Sequence, residues 1–297
     1  MGTMMPIAEV AKTAFRIGVQ PALFAMKRGA RYRAAGVESA DHLPVCGIET
    51  MAGSQGCSPD CAYTIGLGCD HLTAYRSTDR TWRSRPWLGT ACVICLDAYD
   101  GFGAYEASVR ARTGDAFRRS CSKARRQGYV ASFFHPPYLA AQMAAILESK
   151  RFRSGGLVPY GLLGSRVTGP DYGHVDGYRP AAPCPLHWTL HFGVFNTYDA
   201  AGMSLPHANW SLVAFVKLRR IGNLVHALQH IGHGDHLKAG IMDLVHAELI
   251  SWLMGDPHAL SGGVKHYMYG ALEHAGDGLA AWKLRRGFEP MLVGIGC

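Results

Sequence analysis

The fourteen residues from Ile241 to Met254 are apolar nearly all round. A helix of that character has to be covered on every side, so the rest of the chain must supply a sheet and further helices to bury it. Gly255-Asp-Pro257 ends it. Upstream, Trp210 to Arg219 and Asn223 to His230 read as two strands of a hairpin around Arg220-Ile-Gly-Asn223. The Gly-Asn pair there can supply the positive φ values of a tight turn. Downstream, Val264 to Tyr269 reads as a strand, Gly278 to Arg286 as a helix and Phe288 to Ile295 as a last strand. Residues 210 to 293 therefore read as a βαβ arrangement with a glycine-rich loop, Ile231 to Gly240, ahead of the buried helix. A helix N-terminus after such a loop is suited to an anionic ligand.

Earlier in the chain, Trp87 to Asp97 is a short apolar run consistent with a buried strand. Residues 102 to 128 read as a basic-faced helix with Gly128 as its stop. Tyr129 to Phe134 reads as a strand that His135-Pro-Pro137 breaks. Tyr138 to Ser149 is an amphipathic helix with Leu139, Met143, Ile146 and Leu147 on one face. Residues 150 to 186 are rich in Gly, Pro and Arg and read as a long loop over a substrate. Leu186 to Phe195 reads as a strand, and Asn196 to Ala208 as a connector. Residues 1 to 45 look helical, then polar, and residues 46 to 90 carry few periodic signals.

The chain has 297 residues, 48% of them hydrophobic and 18% charged, which is a globular composition. No apolar run is long enough to span a bilayer, and no secretory signal is expected. Residues 7 to 26 are expected to pack on their own domain, with peripheral membrane contact as the alternative. The net charge of +8 is concentrated in Arg110, Arg112, Arg118, Arg119, Lys123, Arg125 and Arg126. Such a stretch attracts phosphate, on a nucleotide, tRNA or a lipid surface. The nine cysteines have no regular spacing and read as reduced thiols in a cytoplasmic protein.

Two segments carry a family resemblance. One is Thr113-Gly-Asp-Ala-Phe-Arg-Arg-Ser-Cys-Ser-Lys-Ala-Arg-Arg-Gln-Gly-Tyr129. The other is Tyr267-Met-Tyr-Gly270 followed by Gly278-Leu and Trp282-Lys-Leu-Arg-Arg-Gly-Phe288. Together they resemble the GNAT acyltransferase superfamily, within it the Fem-like branch. The resemblance implies an α/β (α+β) fold with a mixed, mostly antiparallel sheet flanked by helices. It implies a GNAT-like domain over 113–297, with 1–112 as an N-terminal region whose residues 46 to 112 are a degenerate first module.

The activity it implies is transfer of an acyl or aminoacyl group to a small-molecule or peptide amine. The donor would be acyl-CoA or another acyl thioester, a carrier protein, or aminoacyl-tRNA. In a GNAT-like fold two neighbouring strands part, and the helix that follows receives the donor's pyrophosphate. Gly232, Gly234, Lys238, Ala239, Gly240 and Ile241 are the donor-binding residues on that reading. The Gly-x-Gly at Gly232 and Gly234 sits earlier relative to the helix than the family's loop does. Amine transfer needs a base, and His226 and His230 are the candidates, expected to share one face of their strand. Tyr267 and Tyr269, alternate residues of a strand, are candidates to protonate the leaving group.

No metal is expected. His226 and His230 are too far apart along an extended strand to share an ion, and His233, Asp235 and His236 lack a fourth ligand nearby in sequence. Cys57-x₃-Cys61 has the look of half a zinc site, with Cys69-Asp-His71 as a possible extra ligand. Cys92 and Cys95, three apart in a strand, point to opposite faces and cannot complete it. The Walker loop, His-Glu-x-x-His and Gly-x-Ser-x-Gly motifs are absent from the sequence. Two other readings stay open: a non-catalytic GNAT-fold subunit or binding module, and a nucleic-acid-associated protein using the Arg110 to Arg126 face.

Overall fold

A computed structural model describes residues 43–54, 57, 61–75, 90–150, 152–153, 156–157, 178–198, 202–255, 260–272 and 277–296. The expected helix over residues 7 to 26 and most of the 150 to 186 loop lie outside them. In chain order the described elements begin with β1 (Val45–Glu49), α1 (Cys61–Leu72), β2 (Ala91–Cys95), α2 (Phe102–Thr113), α3 (Ala116–Arg126) and β3 (Tyr129–Phe133). Next come α4 (Ala140–Glu148), a two-stranded ribbon of β4 (Phe152–Arg153) and β5 (Gly156–Leu157), β6 (His187–Asn196), β7 (Ser211–Ile221) and β8 (Leu224–Gly232). The last are α5 (Ile241–Met254), β9 (His266–Ala271), α6 (Asp277–Arg285) and β10 (Glu289–Gly296).

Eight strands form one sheet in the order β1-β10-β2-β9-β8-β7-β6-β3. Only the β1–β10 and β8–β9 pairs are parallel. The sheet is thus mixed and mostly antiparallel, as expected. It is continuous across residue 112, because β2 lies between β10 and β9 and β1 lies on the far side of β10.

Both faces are covered. On one face Tyr105, Phe117, Cys121 and the α5 residues Leu244, Val245 and Leu249 pack on Val216, Leu218 and Val225. On the other, Leu72 and Tyr75 next to α1 cover Ile221, Leu224 and Met268, and α4 covers Phe195, Leu212 and Phe215. The buried α5 is thus the centre of the thicker helical layer, where its apolar surface requires it to be.

Four local features differ from expectation. The basic helix is two helices, because Gly114 turns the chain at a φ of 60°. The stretch around residues 46 to 75 holds β1 and α1. In the β7–β8 hairpin only Gly222 takes a positive φ, 55°. A side chain at Gly222 would meet the Glu49 carbonyl oxygen at 1.8 Å, so glycine is required there.

The fourth difference concerns the histidines. Lys217 pairs with Gln229, but the next residue of β7, Leu218, pairs with Ala227, so Leu228 is an extra residue in β8. This bulge inverts the alternation. His226 lies opposite Arg219 and His230 opposite Val216, three residues apart in β7, so the two imidazoles project from opposite faces of the sheet. The expectation that they share one face is corrected by that single inserted residue.

Candidate active site

The pairing of β8 with β9 lasts for three residue pairs: Leu224 with His266, Val225 with Tyr267, and His226 with Met268. Beyond them the strands part. α5 lies in the connection between them, which completes a βαβ unit with a split parallel pair. β9 carries its own bulge, where Tyr269 and Gly270 together oppose Cys92 of β2. Two bulged strands therefore flank the opening, and each bulge releases backbone groups from the ladder.

The opening is filled from α6. Lys283 is only 2% exposed, and its ammonium donates to the carbonyls of Tyr269 (2.6 Å) and Ala271 (2.9 Å), at the level where β8 no longer pairs. The same ammonium lies 4.4 Å from the centre of the Tyr269 ring. Trp282 packs between His230 (5.6 Å between rings) and His246 (5.2 Å), and its indole N–H donates to Asp243 at 2.9 Å. Arg286 holds the same carboxylate with its Nε and Nη2 atoms, at 2.9 and 2.8 Å.

His230 is buried against Tyr269, with ring centres 5.0 Å apart, and the Tyr269 hydroxyl donates to its backbone carbonyl at 3.4 Å. Neither ring nitrogen of His230 has a hydrogen-bond partner among the described residues, and the same is true of the Tyr267 hydroxyl and the His246 Nδ1. Buried polar atoms are nearly always paired, so a concentration of orphans marks a place built for something other than packing. Burial, with Lys283 adding to it, lowers the His230 pKa to about 3. His246 is held well below its ordinary value, mainly by burial. Burial also pushes the Tyr267 hydroxyl well above its ordinary value.

The other expected residues are distributed unevenly. His226 projects away from this cluster toward α1, edge-on to His71 and Tyr75, and its pKa is also lowered to about 3 by burial first and by His71 next. Tyr267 and Tyr269 do share a face, each ring contacting Phe288. Tyr267 is fully buried, whereas Tyr269 is half-buried.

In the glycine-rich loop expected to hold the donor, Gly234 to Ala239 form a 3-10 turn that ends in Gly240. The Gly234 N–H donates to Ser149 Oγ and the Gly240 N–H to the Leu237 carbonyl. Gly232 and Ile241 are buried, Ala239 is half-buried, and Lys238 is exposed. Gly240, at a φ of 89°, sits so close to α3 that a Cβ would lie 2.6 Å from the Ser120 oxygen. Lys123 donates to the Lys238 carbonyl at 2.8 Å. The loop is thereby fastened to the basic helix, whose Arg118, Arg119 and Arg126 stay exposed.

Lys283, Asp243 and Arg286 are site residues that the sequence pattern does not mark as such. The signal was present in Trp282-Lys-Leu-Arg-Arg-Gly-Phe288, which marks the closure of the domain but says nothing of which charges fold inward.

The fold and site thus define a mixed α/β protein with a split parallel strand pair and a buried polar cluster at the split. No family model and no curated protein sequence matches this chain. Among solved structures it is similar to FemX, at 11% identity and a TM-score of 0.42 over 67% of this chain and 58% of that one. It is similar to the C-terminal domain of an assigned lysylphosphatidylglycerol synthetase from Agrobacterium fabrum, at 12% identity and a TM-score of 0.39 over 68% and 58%. It is also similar to a tandem GNAT protein from the clavulanic acid biosynthesis pathway, at 15% identity and a TM-score of 0.37 over 68% and 50%. The chain thus spans 50 to 58% of the length of these structures. At these scores the likenesses add nothing to what the strand pairing already shows.

Proposed function

We propose that the split between β8 and β9 is the site of an acyl or aminoacyl transfer to an amine, within a GNAT-like, Fem-like framework. The observation that carries this reading is the parallel pairing that lets go after three residues. Beyond that point the edge of β8 is without β9, so an extended donor can take up its backbone hydrogen bonds. The Leu228 bulge lies on that stretch, where a re-aimed amide can meet the oxyanion that forms as the donor carbonyl is attacked.

His230 and Tyr269 then divide the proton work. The amine nitrogen bonds to the carbonyl carbon, and the carbon–oxygen or carbon–sulfur bond to the carrier breaks. The proton lost from nitrogen goes to the neutral His230 ring, and the leaving group takes one from the Tyr269 hydroxyl. A histidine with a pKa lowered to about 3 is a weak base. It cannot deprotonate a free ammonium, so the acceptor arrives as a neutral amine and gives up its proton only after bonding to the carbonyl carbon has made the nitrogen more acidic.

Two features favour an aminoacyl-tRNA ester over acyl-CoA. The Gly234 amide is already taken by Ser149 and the Gly240 amide by the loop's own Leu237 carbonyl, and the first turn of α5 carries Asp243, which answers the positive helix end before a pyrophosphate can. The basic face of α3, fastened to the same loop, offers a phosphate backbone a place to lie. Among the described residues no helix is long and apolar enough to cross a membrane, and a tRNA donor would be met in the cytoplasm.

Thermal-shift titration at two salt concentrations tests the donor. Its arms are CoA, acetyl-CoA, long-chain acyl-CoA, and charged and uncharged tRNA. A saturable, salt-sensitive shift with tRNA, followed by loss of the aminoacyl group to an added amine, supports the proposal. A shift with one thioester alone moves the donor to CoA. No shift and no transfer leaves a non-catalytic binding module.

A further inference from the structure

On the sheet face away from His230, residues distant in sequence bring three sulfurs and an imidazole together. Cys57 lies just before α1 and Cys61 is its first residue; Cys184 precedes β6 and His187 is its first residue. The Sγ atoms of the three cysteines and a ring nitrogen of His187 all lie within 4.8 Å of one another. His187 Nδ1 is 3.4 Å from Cys57 Sγ and 3.4 Å from Cys184 Sγ. In a tetrahedral zinc site, bonds of about 2.3 Å to sulfur and about 2.0–2.1 Å to nitrogen place sulfur and nitrogen about 3.6 Å apart. The observed separations are close to that spacing.

The imidazole is also oriented for the task. His187 Nε2 is 2.7 Å from the Thr50 carbonyl oxygen, which can only accept, so Nε2 carries the proton. The lone pair is then on Nδ1, facing the thiols. A ligating histidine characteristically donates its other N–H to such a carbonyl. Cys61, Cys184 and His187 are buried and Cys57 is half-buried. The local spacings, Cys57-x₃-Cys61 and Cys184-x₂-His187, each suit one ion.

We propose that Cys57, Cys61, Cys184 and His187 form a structural zinc site that fastens the segment leading into α1 to the start of β6. Three thiolates and one imidazole are soft donors that select zinc over magnesium or calcium. Four protein ligands leave no open position, so the ion's role is to hold the fold. The fastening matters because α1 sits close on the sheet: a Cβ at Gly68 would lie 1.8 Å from Ile221 Cδ1. The sequence shows half of this site, Cys57 and Cys61. Its true partners are Cys184 and His187, while Cys92 belongs to β2 and is buried in the core.

The test is the metal content of the full chain, purified under reducing conditions without added metal and measured by inductively coupled plasma mass spectrometry. Stoichiometric zinc is expected, lost in Cys184→Ser and in His187→Ala but kept in Cys92→Ser, which removes a buried cysteine outside the cluster. Should the first two variants fail to fold, the wild type still decides. Refilled with cobalt, it is expected to show thiolate-to-metal charge transfer and the strong visible bands of a tetrahedral ion, and a high-affinity chelator is expected to lower its Tm. Reduced wild-type protein that carries no zinc and gives no such cobalt spectrum overturns the proposal. So does a folded Cys184→Ser/His187→Ala variant that keeps its metal. Zinc retained in a His230→Leu variant separates this site from the transfer chemistry.

Discussion

His230 has two ring nitrogens that nothing among the described residues satisfies, and this sets up an opposition between stability and activity. Replacing it with leucine removes two unpaired buried polar atoms and keeps the volume close. His230→Leu is expected to hold or raise Tm while abolishing transfer, as read by thermal melting beside a single-turnover assay. A fall in both would make the residue merely structural. The same burial predicts an acid limit. His226 and His230 are lowered to about 3, and His246 is well below its ordinary 6.5. Between those values the unfolded chain takes up protons that the folded chain refuses. Stability is therefore complete above about pH 6.5 and falls as pH drops toward the folded values. At about pH 5 His226 and His230 each withdraw about 2 kcal/mol, and His246 acts in the same direction. Their sum is comparable with the whole stability of a typical domain. Circular dichroism across pH is expected to show unfolding near pH 5, and His226→Leu is expected to move the midpoint lower.

At the scale of elements, α6 reaches back into the split with three side chains. The Asp243–Arg286 pair, 13% and 8% exposed, is a buried ion pair. Removing one partner leaves the other charge stranded, so Asp243→Leu or Arg286→Met alone is expected to destabilise by about 3–5 kcal/mol. The double variant is expected to recover much of that loss in a urea denaturation cycle. Lys283→Met leaves two β9 carbonyls without their donor, and a loss of about 2–3 kcal/mol is expected in the same measurement. Elements with one clear period were legible in the sequence: α4, α5, β6 and the β7–β8 hairpin. α1 was not, because Cys61-Ala-Tyr-Thr-Ile-Gly-Leu-Gly68 carries two glycines and no charge to mark a polar face. The Leu228 bulge was not legible either. One extra residue in a strand leaves no compositional trace, yet it reverses the side on which every later side chain falls. That is why His230 could be named as a candidate and still be assigned the wrong neighbour.

For the whole molecule, pattern gave every strand of the sheet but β1 and hid their order. The placement of β2 between β10 and β9 depends on pairing between residues far apart in the chain, such as Val93 with Glu289. Two of the four candidate zinc ligands, Cys184 and His187, escaped for the same reason, since Cys61 and Cys184 meet only once β6 is in place. An isolated fragment of residues 113–297 lacks β1 and β2 and bares the β9 and β10 edges. Unpaired edges invite association. Such a fragment is expected to elute as aggregate in size-exclusion chromatography, and a monodisperse, cooperatively melting fragment would refute the continuity of the sheet.

The position of β10 bears on how the chain comes off the ribosome. β1 is among the first described segments to emerge, yet its partner is β10, with Val45 opposite Leu292. β2 likewise waits for β9 and β10. Until β9 and β10 emerge, two apolar strands therefore have no lattice to join, a hazard for a nascent polypeptide. A premature stop at Glu289 would orphan β1 and leave β2 held by β9 alone.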